Sequence, residues 1–405
     1  MNLAPWIARR YFFSRKKRSF ISWLSILSML GVGVGTMALV VVLSVFNGME
    51  ELNRQIFKTF EADLTVSPKQ GKRFAAPAAL MGKLQGVAGV QAITRVAQDN
   101  ALARYVTGQT VVRLKGVDDN YLEQTALDSA LLEGKLLLRR DGINYAIVAD
   151  GVRADLAISP ADILTPLDIL YPQNGKTLNA LSPDIFNEQR LTVAGVFFIE
   201  SRYDNFVLAP LDVARRLFDY QPDEVTTLEI QLKPGVSESQ SKRALQAIVG
   251  DQLVVQDRDD LNLDLYRAIR VEKLFVAVTL ALIILVASIN IFFSLSMLVI
   301  EKKSDIQIMY AMGATSQLIR RIFLTEGAII ALSGAFAGLV LGIGLCLAQE
   351  TYGFVSMGMT SSIVDAYPVR LQLNDILLTG ILVILMTVLT SWFPAQRAAT
   401  QGPAK

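Results

Sequence analysis

Residues 23–46, from Trp23 to Phe46, read WLSILSMLGVGVGTMALVVVLSVF. The segment has no charge, and its 24 residues reach about 36 Å as a helix. A bilayer core of about 30 Å needs roughly 20 apolar residues, so the segment is long enough to span it. Working outward, Leu274 to Ile300, Ala328 to Ala348 and Ile376 to Phe393 are further candidates. They account for a composition with only 19% charged residues, against about a quarter in soluble chains. The first run is too long for a signal peptide, and Val45 to Met49 is not a small-residue cleavage site, so it is expected to remain.

Lys/Arg bias sets the expected orientation. Arg9, Arg10, Arg15, Lys16, Lys17 and Arg18 precede the first span. Lys302, Lys303, Arg320 and Arg321 lie between the second and third, and Arg397 and Lys405 follow the fourth. Only Arg370 lies between the third and fourth. Both termini and the second connection are therefore expected in the cytoplasm, with the long segment on the opposite side. The predicted order is an interfacial helix (1–20), first span (21–47), outer domain (48–272) and second span (273–300). A cytoplasmic helix (301–320), third span (322–348), outer loop (349–373), fourth span (374–393) and tail (394–405) follow. Leu3, Trp6, Ile7 and Arg10 fall at helical spacing and suit a headgroup interface; a basic leader is the alternative.

Gly31/Gly35 and Gly334/Gly338/Gly342 have the four-residue spacing that lets helix backbones approach in lipid. Gly31-x-Gly33-x-Gly35 is not a nucleotide loop, because it lacks the preceding strand, the third glycine spacing and the lysine.

The outer segment predicts strand–helix–strand at each end. Strand signals fall at Ala62–Val66, Ala92–Val96, Val111–Lys115, Tyr145–Val148, Leu191–Phe197, Phe206–Leu208, Thr227–Leu232 and Leu253–Val255. Helix signals fall at Ala78–Leu84 and Ser237–Val249. The fold class is thus a membrane protein with four transmembrane helices and a large α+β extracytoplasmic domain, with a β-rich insert at about 105–220. Tyr171 to Glu188 has no periodicity; it reads equally as a binding loop or a surface excursion.

Glu301 to Thr315 reads EKKSDIQIMYAMGAT. Ile306, Met309, Tyr310 and Gly313 sit at helical spacing, broadened by Ile308 and Met312. By spacing alone, this helix suits the membrane surface and a partner's groove equally. With no histidine and a single cysteine, Cys346, inside an apolar run, the chain has no His triad, His/Cys zinc site or internal disulfide. No metal site is expected.

The N-terminal run resembles a known family. Ala8-Arg9-Arg10-Tyr11, Phe20-Ile21-Ser22, Gly31-Val32, Gly35 and the closing Ser44-Val45-Phe46-Asn47-Gly48-Met49 are similar to lipoprotein-releasing permeases of the LolC/LolE type, within the MacB/FtsX-like type VII ABC superfamily. Glu301-Lys302-Lys303, Asp305-Ile306 and Met312-Gly313-Ala314-Thr315 match its coupling-helix motif. Tyr367-Pro368-Val369 and Pro394-Ala395-x-Arg397-Ala398-Ala399 also look like the family, and the outer domain matches loosely through Gly195-Val196-Phe197.

The resemblance implies a dimer of permease subunits, homo- or heteromeric, in the bacterial inner membrane on two ATPase subunits that bind ATP and Mg²⁺. It implies ATPase coupling through Glu301, Lys302, Lys303, Asp305, Ile306, Met309, Met312 and Gly313. It implies a cavity for an acylated lipoprotein, lined by Val42, Val45, Phe46, Met49, Leu274, Phe275 and Val278; these also suit ordinary lipid or helix packing. It further implies a loop for a periplasmic lipoprotein carrier, matched by Pro172, Leu178, Leu181, Pro183, Gln189 and Arg190. The chain has no Gly-x-x-x-x-Gly-Lys-Ser/Thr loop, so ATP hydrolysis is assigned to another chain and no enzyme activity to this one. A MacB-type efflux permease and an FtsX-like signal transmitter are the competing expectations.

Overall fold

A computed structural model describes residues 3–13, 20–125, 127–162, 164–173, 186–357 and 366–400. Its helices are α1 Leu3–Phe13, α2 Phe20–Phe60, α3 Ala78–Gln85, α4 Tyr121–Gln124, α5 Asp150–Leu156 and α6 Leu211–Phe218, then α7 Glu238–Val249, α8 Arg258–Leu261, α9 Leu263–Glu301, α10 Lys303–Ala311, α11 Ser316–Tyr352 and α12 Leu373–Ala399. Its strands are β1 Leu64–Pro68, β2 Phe74–Ala75, β3 Val90–Tyr105, β4 Gly108–Val117, β5 Leu131–Gly134, β6 Arg139–Arg140 and β7 Ile143–Ala149, then β8 Leu167–Pro172, β9 Phe186–Phe197, β10 Phe206–Pro210, β11 Glu224–Val225, β12 Thr227–Leu232 and β13 Leu253–Asp257. The described residues form two compact units: a helical one up to residue 52 and from 265 onward, and an α/β one of residues 53–264.

In the helical unit, α2, α9, α11 and α12 are long and apolar enough to cross a membrane. Several hydroxyls within them are satisfied by the backbone one turn back: Thr36 donates to the Val32 carbonyl, Ser44 to Val40, Ser288 to Ile284 and Thr387 to Val383. All four helices outrun the apolar segments that mark them, α12 by running from Leu373 to Ala399. α2 continues past Phe46 to Phe60 because Leu52, Ile56, Phe57 and Phe60 keep one helical face apolar. α9 begins at Leu263, and α11 starts at Ser316, where the Thr315 hydroxyl caps the Leu318 N–H at 3.3 Å.

The glycines divide between two neighbours. A Cβ on Gly334 would meet the Met29 carbonyl, and one on Gly338 the Gly33 carbonyl, so α2 and α11 touch backbone to backbone. Gly31 and Gly35 instead face Ala287 and Ile284 of α9. Lipid supplies no hydrophobic drive between helices, so this close approach supplies dispersion contacts that larger residues would prevent.

The α/β unit is built on an 11-stranded mixed sheet of order β13-β1-β12-β3-β4-β10-β7-β9-β5, with β6 on β7 and β8 joining β3 and β9. The long strand β3 serves two cores. Its first half pairs with β12, from Thr227↔Val96 to Leu232↔Val90, beside Leu64, Leu84, Ile230, Leu245 and Val255. Its second half pairs with β8, as Leu102↔Leu170, beside Val112, Val148, Leu191, Val207 and Leu217. The insert therefore extends the end module's sheet.

The insert also holds more than the strands its sequence suggests. α5 and α6 pack on it, and α6 buries Leu211, Val213, Ala214, Leu217 and Phe218. Eight residues give barely two turns, too few for a helical period to stand out between strands.

Candidate functional site

The connection after α9 is a helix–turn–helix. α10 spans Lys303–Ala311, Gly313 takes φ +91°, and Thr315 opens α11. A left-handed residue at that turn accounts for glycine in the Met312-Gly313-Ala314-Thr315 run. Tyr310 donates to the Ala399 carbonyl at 2.7 Å, tying α10 to the end of α12. Ile306 is fully buried in a cluster with Leu298, Val299, Ile319, Ile322, Phe323, Ala395 and Ala398, and Met309 packs partly against it.

Ile306, expected to face a partner, instead faces this chain's own helices, because those apolar residues enclose it. Met309 is half-turned the same way. The outward apolar residues are Ile308 (57% exposed) and Met312 (75% exposed), beside exposed Lys303 and Gly313. Ile308, which spacing ranks only as a flank of the apolar face, is thus one of its two outward residues. Asp305 lies 3.7 Å from Lys302 at the start of α10, next to Glu301. Ile7 of α1 also joins the cluster, while Trp6 is exposed, with Arg10 5.4 Å from its ring centre.

α2 and α9 run antiparallel. Ser25 and Ser294 share a hydrogen bond at 2.7 Å, Gly31 and Gly35 meet Ala287 and Ile284, and Lys273 donates to Asn47 Oδ1 at 2.7 Å. That stepping puts Val42, Val45 and Phe46 level with residues 273–278, with Met49 one turn further along α2. Val42, Val45, Phe46 and Met49 are half-buried, whereas Leu274, Phe275 and Val278 are exposed, Phe275 by 73%. The three α9 residues thus leave an exposed apolar surface at the level of the four half-buried residues of α2.

Beside these residues lies a polar clamp. Buried Asn47 donates to Asp375 Oδ2 at 2.8 Å and to the Arg370 carbonyl at 3.3 Å while accepting from Lys273; Lys273 and Asp375 pair at 3.1 Å. Asn47 thereby joins α2, α9 and α12 with both its amide and its carbonyl engaged. Arg370 donates its N–H to the Ser44 carbonyl and pairs with Glu51 at 2.5 Å. Any side chain at Gly48 would strike the Pro368 carbonyl. Gln349 of α11 holds Tyr367 and Val355. Asn47-Gly48 and Tyr367-Pro368-Val369, two motifs far apart in sequence, thus meet in space. A double-mutant cycle with Lys273→Met and Asp375→Leu, read as thermal unfolding in detergent, should return a coupling of about 1–3 kcal/mol; additive losses would show that the pair is idle.

In the α/β unit, β8 and β9 form a hairpin whose last described pair is Pro172↔Phe186. Leu178, Leu181 and Pro183 lie outside the described residues. Gln189 pairs with Ile169, and Arg190 sits across from Asp168, 3.4 Å from its carboxylate and 3.2 Å from Glu188. Arg104 of β3 completes this charge ladder, 3.1 Å from Asp168. Gln189 and Arg190 therefore brace the base of the hairpin.

The family model for the MacB-like periplasmic core domain matches residues 25–248, more than half the chain. The chain belongs to that family. An FtsX-like permease C-terminal model matches residues 277–403 of this MacB-like chain. The lipoprotein-releasing system transmembrane protein LolE of Haemophilus influenzae is 26% identical, over 100% of this chain and 99% of that one. LolC of Neisseria meningitidis is 24% identical, over 100% and 98%. The periplasmic region of MacB from Actinobacillus actinomycetemcomitans, at 12% identity and a TM-score of 0.38, covers 53% of this chain and 98% of its own. The MacB-like chain is an ABC transporter permease component and a multi-pass inner-membrane protein.

Proposed function

We propose that this chain extracts acylated lipoproteins from the outer leaflet of the inner membrane, driven by ATP hydrolysis on a separate ATPase subunit, and passes them to a periplasmic carrier. End-to-end similarity to permeases named for lipoprotein release carries the reading. In this reading the termini and α10 face the cytoplasm, and α10 docks on the ATPase through Ile308 and Met312. Two permease copies, alike or different, bring these apolar surfaces together. Val42, Val45, Phe46 and Met49 then line one wall of the lipid path, and Leu274, Phe275 and Val278 the other. Keeping the acyl chain out of water there is worth about 25 cal/mol per Å², so these walls replace the apolar surroundings of the bilayer as the chain leaves it. In this reading the stretch from Pro172 to Pro183 is the carrier contact, with Gln189 and Arg190 as its brace.

Depletion of the chain followed by membrane fractionation tests the reading. Acylated lipoproteins should accumulate in the inner membrane. Normal sorting, in a strain without a second such permease, would reject lipoprotein release in favour of efflux or signalling.

A further inference from the structure

Along β12, buried Leu228, Ile230 and Leu232 alternate with Thr227, Glu229 and Gln231. The apolar set joins the core of Leu64, Leu84 and Leu245. The polar set turns to the other face of the sheet, and strand pairing extends that face sideways. Thr65 of β1 sits opposite Glu229, and Thr227 opposite Val96 of β3. Gln98, two residues beyond Val96, sits opposite Lys115 of β4, and Arg113 lies two residues before Lys115. Thr65, Thr227, Gln98, Arg113 and Lys115 therefore share one face of neighbouring strands, about 14 Å from β1 to β4 at the usual strand spacing.

Such a polar face of an antiparallel sheet ordinarily meets water. Here Phe60 and Glu61, Tyr203 and Phe206, and Asn262 cover it, leaving a cavity of about 260 Å³. All of its lining residues belong to the α/β unit. Lys115, 2% exposed, directs its ammonium to Glu229 and to the Tyr121 hydroxyl, each at 2.9 Å, and lies 4.4 Å over the Phe60 ring. It supplies charge to the cavity rather than a free donor. Glu61 accepts from the Tyr203 hydroxyl and from Asn262 Nδ2, each at 2.8 Å. Burial pushes its carboxyl above the usual carboxylate range despite those bonds, which lessens the negative charge there.

What the cavity keeps available is donors. Among the described residues, the Thr65 and Thr227 hydroxyls, the Gln98 amide and the Arg113 guanidinium make no hydrogen bond. Thr65 is 7% exposed, so its hydroxyl is out of reach of bulk water. Arg113 lies 5.3 Å from the Phe206 ring centre, and Arg202 engages Asn262 Oδ1 through one nitrogen. Both arginines are exposed and stand at the rim. The lining thus sets three cations, Arg113, Lys115 and Arg202, against two carboxyls, Glu61 and Glu229. One guanidinium can take both oxygens of a carboxylate, whereas a phosphate has oxygens for two. The hydroxyls and the amide, further along the face, suit a neutral hydroxylated group.

We propose that this cavity binds a phosphate group bearing a short hydroxylated arm: Arg113 and Arg202 hold the phosphate at the rim, and Gln98, Thr65 and Thr227 hydrogen-bond the arm along the sheet. Glycerol phosphate has this chemistry, either free in solution or as the headgroup of a phospholipid. The site uses none of the residues assigned to the lipid path, the ATPase contact or the carrier contact, so it stands apart from the lipoprotein-release reading.

The test uses the full chain, purified in maltoside micelles free of phospholipid and held at constant ionic strength. Glycerol phosphate and short-chain phosphatidylglycerol are titrated separately by calorimetry, with acetate as the carboxylate probe. At least one of the two phosphates should bind saturably, and the tighter of them names the source. Arg113→Gln and Gln98→Ala should each weaken that binding roughly tenfold, the loss of a hydrogen bond to a charged partner. Arg113→Gln should keep the parent's thermal midpoint without ligand, because the exposed side chain makes no hydrogen bond within the protein. Lys83→Gln, on α3 over the apolar face, should bind as the parent does. Saturable binding by neither phosphate, equal binding by acetate, or undiminished binding in Arg113→Gln would overturn the site.

Discussion

Gly338→Val is expected to prevent the protein from accumulating in membranes, whereas Gly344→Val, further along the same helix, should have little effect. A side chain at Gly338 would overlap the Gly33 carbonyl, while nothing lies within 4 Å of a Cβ at Gly344. The Gly33 carbonyl cannot move aside without breaking the α2 ladder, which in lipid has no water to replace it. The helices must part instead, and the close packing of Gly33, Gly334 and Gly338 would go together. Overpacking alone costs about 1–3 kcal/mol, and the opened interface adds to it. Immunoblots of membranes and thermal unfolding of the purified protein measure the difference. Equal behaviour of the two variants would mean that α2 and α11 do not meet backbone to backbone.

The second large effect is expected at the turn after α9. Met312→Asp and Ile308→Asp should release the ATPase subunit, because each buries an unpaired charge at the centre of the docking face. Central interface residues are worth about 2 kcal/mol or more, so affinity should fall by about 30-fold or more. Lys303→Ala, at the exposed helix start, should leave docking nearly intact. Co-purification with the ATPase reads the result, and full retention by both aspartate variants would remove the docking assignment. Ile306→Asp should behave differently: it destroys the cluster beneath α10, and the permease itself should become unstable.

The four membrane helices are legible in the sequence because an uncharged apolar run has few other uses, and the family's motifs mark both ends of the chain. What the sequence hides is direction. The period of Ile306, Met309 and Tyr310 shows that α10 has an apolar face but not which part of it the chain covers, since the covering residues Phe323 and Ala395 arrive much later. Asn47 stands out only as a motif letter; its role depends on Lys273 and Asp375, each from a different helix. β8 escapes notice because Leu167–Pro172 adjoins an aperiodic stretch and borrows its order from β3 and β9. The helical extension of α2 to Phe60 is hidden by the charges that follow the apolar run.

The placement of β1 bears on how the protein is synthesised. Val66 pairs with Leu228 on one side and Val255 on the other, so this strand finds no neighbour until nearly all of the α/β unit has been translated. Only Arg258–Asn262 then separate β13 from α9. The end module of the segment after the first span must therefore be exported open, with its apolar strand β1 exposed to chaperones and proteases. Its sheet can close only as the second span enters the translocation machinery. A chain stalled before Leu253 should carry an inserted first helix and a protease-sensitive domain, while one that has completed α9 should resist digestion.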